Sequence, residues 1–179
     1  MARLQPARPA VICARGRDAR GAVAYEQLSF AELEAASNRL ALALADAGIG
    51  RGMRTALMVP PGLDFFTLTF ALFKAGAVPV LIDPGIGLRN LAGCLAQAQP
   101  EAFIGVPKAH AARVLLGWAR ASIRINVTAG AKWFWGGRTL EEMRAQASAG
   151  AAFAPVEPAP GESAAILFTS GSTGAPKGA

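Results

Sequence analysis

The chain has 179 residues, 53% of them hydrophobic and 17% charged, a balance that suits a packed globular core and argues against disorder. Its 18 Lys and Arg outweigh 12 Asp and Glu for a net charge of +6, but the cations are scattered and no aromatic residues interleave with them, which argues against a nucleic-acid platform. Mean hydropathy is +0.33, yet the most apolar window, Phe65 to Ile82, is interrupted by Lys74, Gly76 and Pro79 and reads as a helix followed by a buried strand, so no transmembrane segment is expected.

Residues 1–21 are rich in arginine and nearly free of acids. The apolar run Ala10 to Ala14 is too short for a signal-peptide core, and the segment is expected to be a frayed, poorly ordered basic start. Cys13 and Cys94 lie far apart and outside any CxxC spacing, which suggests reduced thiols and a cytoplasmic location.

Ser29 to Ala47 reads as a helix with a Ser29/Glu32 capping box, Leu33, Leu40 and Leu44 on one face, and Gly48 at its end. Thr55 to Val59 is a short buried strand closed by Pro60-Pro61-Gly62. Asp64 is expected to cap a helix through Lys74, stopped by Gly76. A strand Val78 to Ile82 ends at the turn Asp83-Pro84-Gly85, and a helix Leu88 to Ala98 and a strand Ala102 to Val106 follow. Next come a helix from Pro107 to about Ala119, a strand Ile123 to Val127, and a helix to about Ser148 with a Thr139/Glu142 capping box. Phe153 to Pro160 is a proline-rich linker, and the apolar strand Ala164 to Phe168 comes last.

Strands alternating with helices, without a strict polar–apolar alternation, predict an α/β fold: an open, largely parallel sheet flanked by helices on both faces. Ligands of such folds sit beyond the carboxyl ends of the strands. That is where the last strand delivers the chain into FTSGSTGAPKG, Phe168 to Gly178.

Gly171, Gly174 and Gly178 let the backbone turn sharply, so that consecutive N–H groups can form an anion-binding nest. The hydroxyls of Thr169, Ser170, Ser172 and Thr173 can donate to phosphate oxygens, and Lys177 adds a compact positive charge. The loop is not a Walker A sequence: counting from Gly171, Pro176 stands where the second glycine belongs, and Gly178 follows the lysine in place of Ser or Thr.

Several other residues read as structural. His110 sits on an amphipathic helix and is expected at the surface or half-buried. Cys94 reads as core, and Cys13 has no evident partner. Trp118, Trp133 and Trp135 read as packing residues, the last two on one face of a strand. Asp83 reads first as a turn residue.

The loop resembles the phosphate-binding signature of the adenylate-forming (AMP-binding, acyl-CoA synthetase) enzymes. LSFAELEAASNRLALAL (Leu28 to Leu44), GIGRGMRTALMVPPG (Gly48 to Gly62) and LFKAGAVPVLIDPG (Leu72 to Gly85) are similar to that family's blocks, in its order. FFTLTFALFKAGAVPVLIDPGI, AQPEAFIGVP, the WGG after Phe134 and AAILFTSGSTGAPKG together resemble the olefin β-lactone synthetases, often catalogued as fatty-acid CoA ligases.

The resemblance implies that residues 22–179 are the N-terminal part of an adenylation domain. It implies an ATP-dependent ligase that joins a fatty or β-hydroxy fatty acid to AMP, with Mg2+, before a nucleophile displaces AMP. The nucleophile is the CoA thiol in CoA ligases and the substrate's own β-hydroxyl in lactone synthetases. ATP phosphates would be held by Thr169, Ser170, Gly171, Ser172, Thr173, Gly174 and Lys177. The catalytic residues, the adenine pocket and the acyl pocket are expected beyond Ala179, so the isolated chain, expected to be a truncation, is expected to be inactive. The lactone-synthetase resemblance would imply companion enzymes of long-chain hydrocarbon synthesis. The alternatives are a non-catalytic nucleotide- or partner-binding module and, against the motif, a P-loop NTPase.

Overall fold

The computed structural model describes residues 1–146, 153–169 and 177–178. Strands β1 (Pro9–Arg17) and β2 (Val23–Ser29) form an antiparallel hairpin in which Val11 faces Leu28 and Cys13 faces Glu26. The expected frayed start therefore holds a strand from Pro9 to Arg17. The Asp18 carboxylate closes the turn by accepting the backbone N–H of Arg20 at 2.8 Å and of Ala22 at 2.9 Å, as Asp does in tight turns.

Helix α1 (Phe30–Asp46) starts at the expected capping box: Ser29 N–H donates to Glu32 Oε2 at 2.8 Å, and Glu32 N–H to Ser29 Oγ at 3.3 Å. Strand β3 (Arg54–Met58) leads to α2 (Leu63–Lys74), whose N-cap is Gly62 without any side-chain cap. Asp64 is thus not the cap but a first-turn residue. There it meets the positive helix terminus and pairs with Arg144. Lys74, the charge that interrupts the apolar window, has its Nζ 2.9 Å from Glu34 Oε2 and donates to Ser37 and Asn38, joining α2 to α1.

Strand β4 (Val78–Ile82) ends in a 3-10 turn, Pro84–Ile86, before α3 (Leu88–Ala98) and β5 (Ala102–Gly105). Helix α4 (Pro107–Leu116) ends earlier than expected because Gly117, at φ 67°, takes the left-handed position that stops a helix. Strands β6 (Ile125–Thr128) and β7 (Arg138–Thr139) precede α5 (Leu140–Gln146). The expected Thr139/Glu142 capping box is present, Glu142 N–H donating to Thr139 Oγ1 at 3.0 Å, while the expected end of that helix at Ser148 lies outside the described residues. The linker has neither helix nor strand, yet it is held: Val156 N–H donates to the Lys74 carbonyl at 2.8 Å. Strands β8 (Ile166–Thr169) and β9 (Lys177–Gly178) complete the sheet.

The sheet runs β7-β6-β5-β3-β4-β8-β9, every neighbouring pair parallel except β8 with β9. Both faces are covered, so the strands carry apolar residues on both sides. Leu57, Ile104 and Val127 face the core with α1, α2 and α5, whereas Ala56, Val80 and Phe103 face the core with α3 and α4. No helix among the described residues is long and apolar enough to cross a membrane.

Candidate nucleotide site at the carboxyl edge of the sheet

Phe168 pairs in register with Ile82 and is 3% exposed, so its ring anchors β8 in the core over α3. The next residue, Thr169, is exposed at the carboxyl end of the strand. Strand β9 then returns antiparallel, with Lys177 opposite Thr169 and Gly178 opposite Phe168. A Cβ on Gly178 would lie 2.9 Å from Phe168 Cζ, so only glycine lets this short strand cross the ring.

The two ends of the phosphate-loop candidate are thereby joined at its base. Of the predicted site residues, Thr169 and the Lys177 backbone are brought together, and Ser170, Gly171, Ser172, Thr173 and Gly174 lie outside the described residues. Strand β9 leaves no signal in the sequence, because two residues have no period to detect.

The same edge carries an open cavity of about 680 Å³. Helix α2 follows β3 on one face of the sheet, and α3 and α4 follow β4 and β5 on the other. The cavity therefore sits over β3, where the connections change sides, the usual ligand position in open α/β sheets. Phe65, Leu91 and Trp118 give it an apolar wall, and Asp83, Lys108 and Thr169 are among its polar groups. Asp83 keeps its expected turn role, accepting the Gly85 N–H on Oδ1 at 2.8 Å. Among the described residues no three His, Cys, Asp or Glu side chains are grouped to hold a metal ion.

His110 is a correction. It was expected at the surface or half-buried, and it is fully buried. Its Nε2–H donates to the Val127 carbonyl at 3.0 Å, its ring packs edge-on to Phe103 at 4.9 Å, and it stacks on Trp135 at 5.3 Å. Burial pushes its pKa down, opposed by the Val127 hydrogen bond and helped by nearby Arg113. Two aromatic partners let a neutral imidazole replace an apolar side chain at this position.

Arg113, one turn further on, is also buried. It lies over the Phe103 ring at 5.4 Å, and burial lowers its pKa. Neither residue reaches the cavity wall. Cys94 is core, as expected, its thiol pKa raised by burial. Trp133 and Trp135 belong to a loop instead of a strand, because Gly130, Gly136 and Gly137 hold the backbone there at positive φ.

The model of the AMP-binding enzyme family matches residues 1–179. An olefin beta-lactone synthetase of Xanthomonas campestris is 53% identical over 99% of this chain and 32% of its own length. A long-chain-fatty-acid–CoA ligase of Mycobacterium tuberculosis is 31% identical over 85% of this chain and 29% of its own length. The apo structure of MbtA from Mycobacterium smegmatis superposes with a TM-score of 0.79 at 26% identity, covering 99% of this chain and 31% of that one. The chain thus spans about a third of the length of the curated relatives it matches. A strand-fed, glycine-rich loop at the carboxyl edge of a parallel sheet and a family match along its whole length agree: this chain belongs to the AMP-binding, adenylate-forming enzymes.

Proposed function

We propose that the chain is the N-terminal part of an ATP-dependent ligase that converts a fatty or β-hydroxy fatty acid to its acyl-adenylate, and that the loop from Thr169 to Lys177 holds the ATP phosphates. The observation that carries this reading is the β8–β9 hairpin, which sets Lys177 across from Thr169 at the carboxyl edge of the sheet. We take the whole chain as the first part of the adenylation domain, because the boundary expected at residue 22 would divide the β1–β2 hairpin.

The residues fit a triphosphate. Thr169, Ser170, Ser172 and Thr173 offer hydroxyl donors. Gly171 and Gly174 allow backbone N–H groups to approach, and Lys177 neutralises charge without a bulky head. Mg2+ supplies further neutralisation on the phosphates and takes no ligand cluster from the described residues.

A carboxylate oxygen attacks the α-phosphorus. The bond from that phosphorus to the bridging oxygen breaks, and pyrophosphate leaves with its electrons. The loop's part is to keep the β- and γ-phosphates in line and to stabilise the charge that accumulates on the leaving group. A second nucleophile then displaces AMP. We read it as the substrate's β-hydroxyl oxygen, closing a β-lactone, because the relative named for that product has the higher identity; a CoA thiol giving a thioester is the other route. The reading places the enzyme in the cytoplasm, with companion enzymes of long-chain hydrocarbon synthesis as partners.

The test is pyrophosphate–ATP exchange by the full-length protein, driven by a β-hydroxy fatty acid. Lys177→Ala should lower exchange by roughly 10- to 150-fold, the size of a lost charge-assisted hydrogen bond of about 1.5–3 kcal/mol, and leave the melting temperature unchanged. The isolated 179-residue chain should show no exchange. Full exchange in Lys177→Ala, or none in the wild type with any acyl acid, overturns the reading. A lactone formed without CoA separates the two routes.

A further inference from the structure

We propose that the loop between β6 and β7 is a membrane-docking tip: Trp133 and Phe134 insert into an anionic lipid surface, and the basic run around them supplies the attraction. Trp135 is the fixed point of this loop. Its ring stacks on buried His110 with an interplanar angle of 6°. Its Nε1–H donates to Thr128 Oγ1 at 2.9 Å, and its carbonyl accepts from Asn126 Nδ2 at 3.3 Å. Gly137 fits so closely that a Cβ there would lie 2.2 Å from the Asn126 carbonyl oxygen.

With Trp135 held in this way, Trp133 and Phe134 project outward, 73% and 55% exposed, edge-on to Trp135 at 6.3 Å and 5.2 Å. A loop fixed by stacking, hydrogen bonds and close backbone packing displays two large aromatic side chains to solvent. That arrangement is the opposite of what burial of apolar surface favours.

The charge around the tip indicates the occupant. From Ala102 to Leu140 the chain carries no acid and, besides buried Arg113, five cations (Lys108, Arg120, Arg124, Lys132 and Arg138). Lys132 and Arg138 bracket the aromatic run and are exposed, and Lys132 takes its partner, Glu142, from outside that stretch. Pro107 packs where a Cβ on Gly130 would lie, at 3.4 Å, which brings exposed Lys108 beside the base of the loop.

Aromatic rings flanked by lysine and arginine suit the boundary between lipid headgroups and acyl chains, with the rings at the interface and the cations on anionic headgroups. A protein partner fits less well. A stable interface takes about 800 Å² per partner, and two aromatic side chains supply roughly 150–250 Å² each. The patch lies on the β7 edge of the sheet, at the same carboxyl ends as the nucleotide loop but away from β8 and β9, and Lys108 is shared between it and the cavity.

The experiment is co-sedimentation of the full-length protein with phosphatidylcholine vesicles, alone or mixed with phosphatidylglycerol. Wild type should partition onto the mixed vesicles and release with added salt. Trp133→Ser with Phe134→Ser should lower partitioning on the order of tenfold, because binding scales with buried apolar area and charge attraction, with the circular dichroism unchanged. Trp133→Leu with Phe134→Leu should keep most of it, which separates loss of apolar insertion from damage to the fold. Equal sedimentation of wild type and the serine pair overturns the proposal. So does a wild type that ignores both vesicle types, which would return the patch to a protein partner.

Discussion

Two parallel strands of this sheet end alike and are used differently. β6 ends in Thr128 and β8 in Thr169, and each leads into a glycine-rich loop that returns as a two-residue strand. Thr128 is fully buried, and its hydroxyl is engaged by the Trp135 indole. Thr169 is exposed, and among the described residues no side-chain hydrogen bond engages it. Glycine content therefore says little about what a loop does. What distinguishes the two among the described residues is the threonine that ends each strand: Thr128 is buried and engaged by an indole, and Thr169 is exposed.

The largest expected effect breaks the fixed loop. Gly137→Ala forces a side chain into φ 84° and against the Asn126 carbonyl. It should cost about 3 kcal/mol, at the upper end of the cost of a strained backbone position, and lower Tm by roughly 6–12 °C in a chain of this size. Thermal denaturation of the purified variant checks it, and a Tm within a degree of wild type would mean the loop is not rigid.

A paired substitution sharpens the contrast. Thr128→Val leaves the Trp135 N–H without its acceptor and should cost about 1–2 kcal/mol, seen as a lower denaturation midpoint. Thr169→Val removes a hydroxyl with no described partner and should leave the midpoint unchanged. Under the proposed function it raises the KM for ATP in the full-length protein. Equal stability losses in both variants would erase the distinction.

The sequence made the locally determined elements legible. Both capping boxes, the glycine stop after α2 and the bounds of β4 and α3 depend on residues a few positions apart, and all are present as read. Elements defined by the strand they pair with were not legible. β1 looked like a basic tail until β2 paired with it, and β7 and β9, of two residues each, exist only through their neighbours. Asp64 was misread because a cap and a first-turn acid are two positions apart and look alike in sequence. The residue types of the nucleotide loop could be read, but the closing of its base by Thr169 and Lys177 could not, since register between strands is a tertiary fact. His110 was also not legible, because its burial depends on Trp135, which reaches it from the loop after β6.

His110 also carries the smallest expected effect, in acid. Its pKa in the folded chain lies below the ordinary 6.5, chiefly because burial penalises the imidazolium. The unfolded chain therefore binds this proton first as pH falls, and stability declines wherever the unfolded state holds more protons. The contribution is fully present above about pH 6.5, diminishes below it, and stops changing once pH passes under the folded value. The Nδ1 atom has no partner among the described residues, so protonation adds a buried donor with none of them to receive it and weakens the stack on Trp135. Wild type should lose stability from pH 7 to pH 5 more steeply than His110→Phe, which keeps an aromatic ring against Phe103 and Trp135 without a titrating proton. Because Trp135 anchors the exposed aromatic tip, tryptophan fluorescence of the folded protein should change only as pH falls through the lowered folded value, and in wild type only. Parallel pH profiles for the two proteins would mean that the imidazole is no more protonated in the unfolded chain than in the fold, and that the stack holds Trp135 by shape alone.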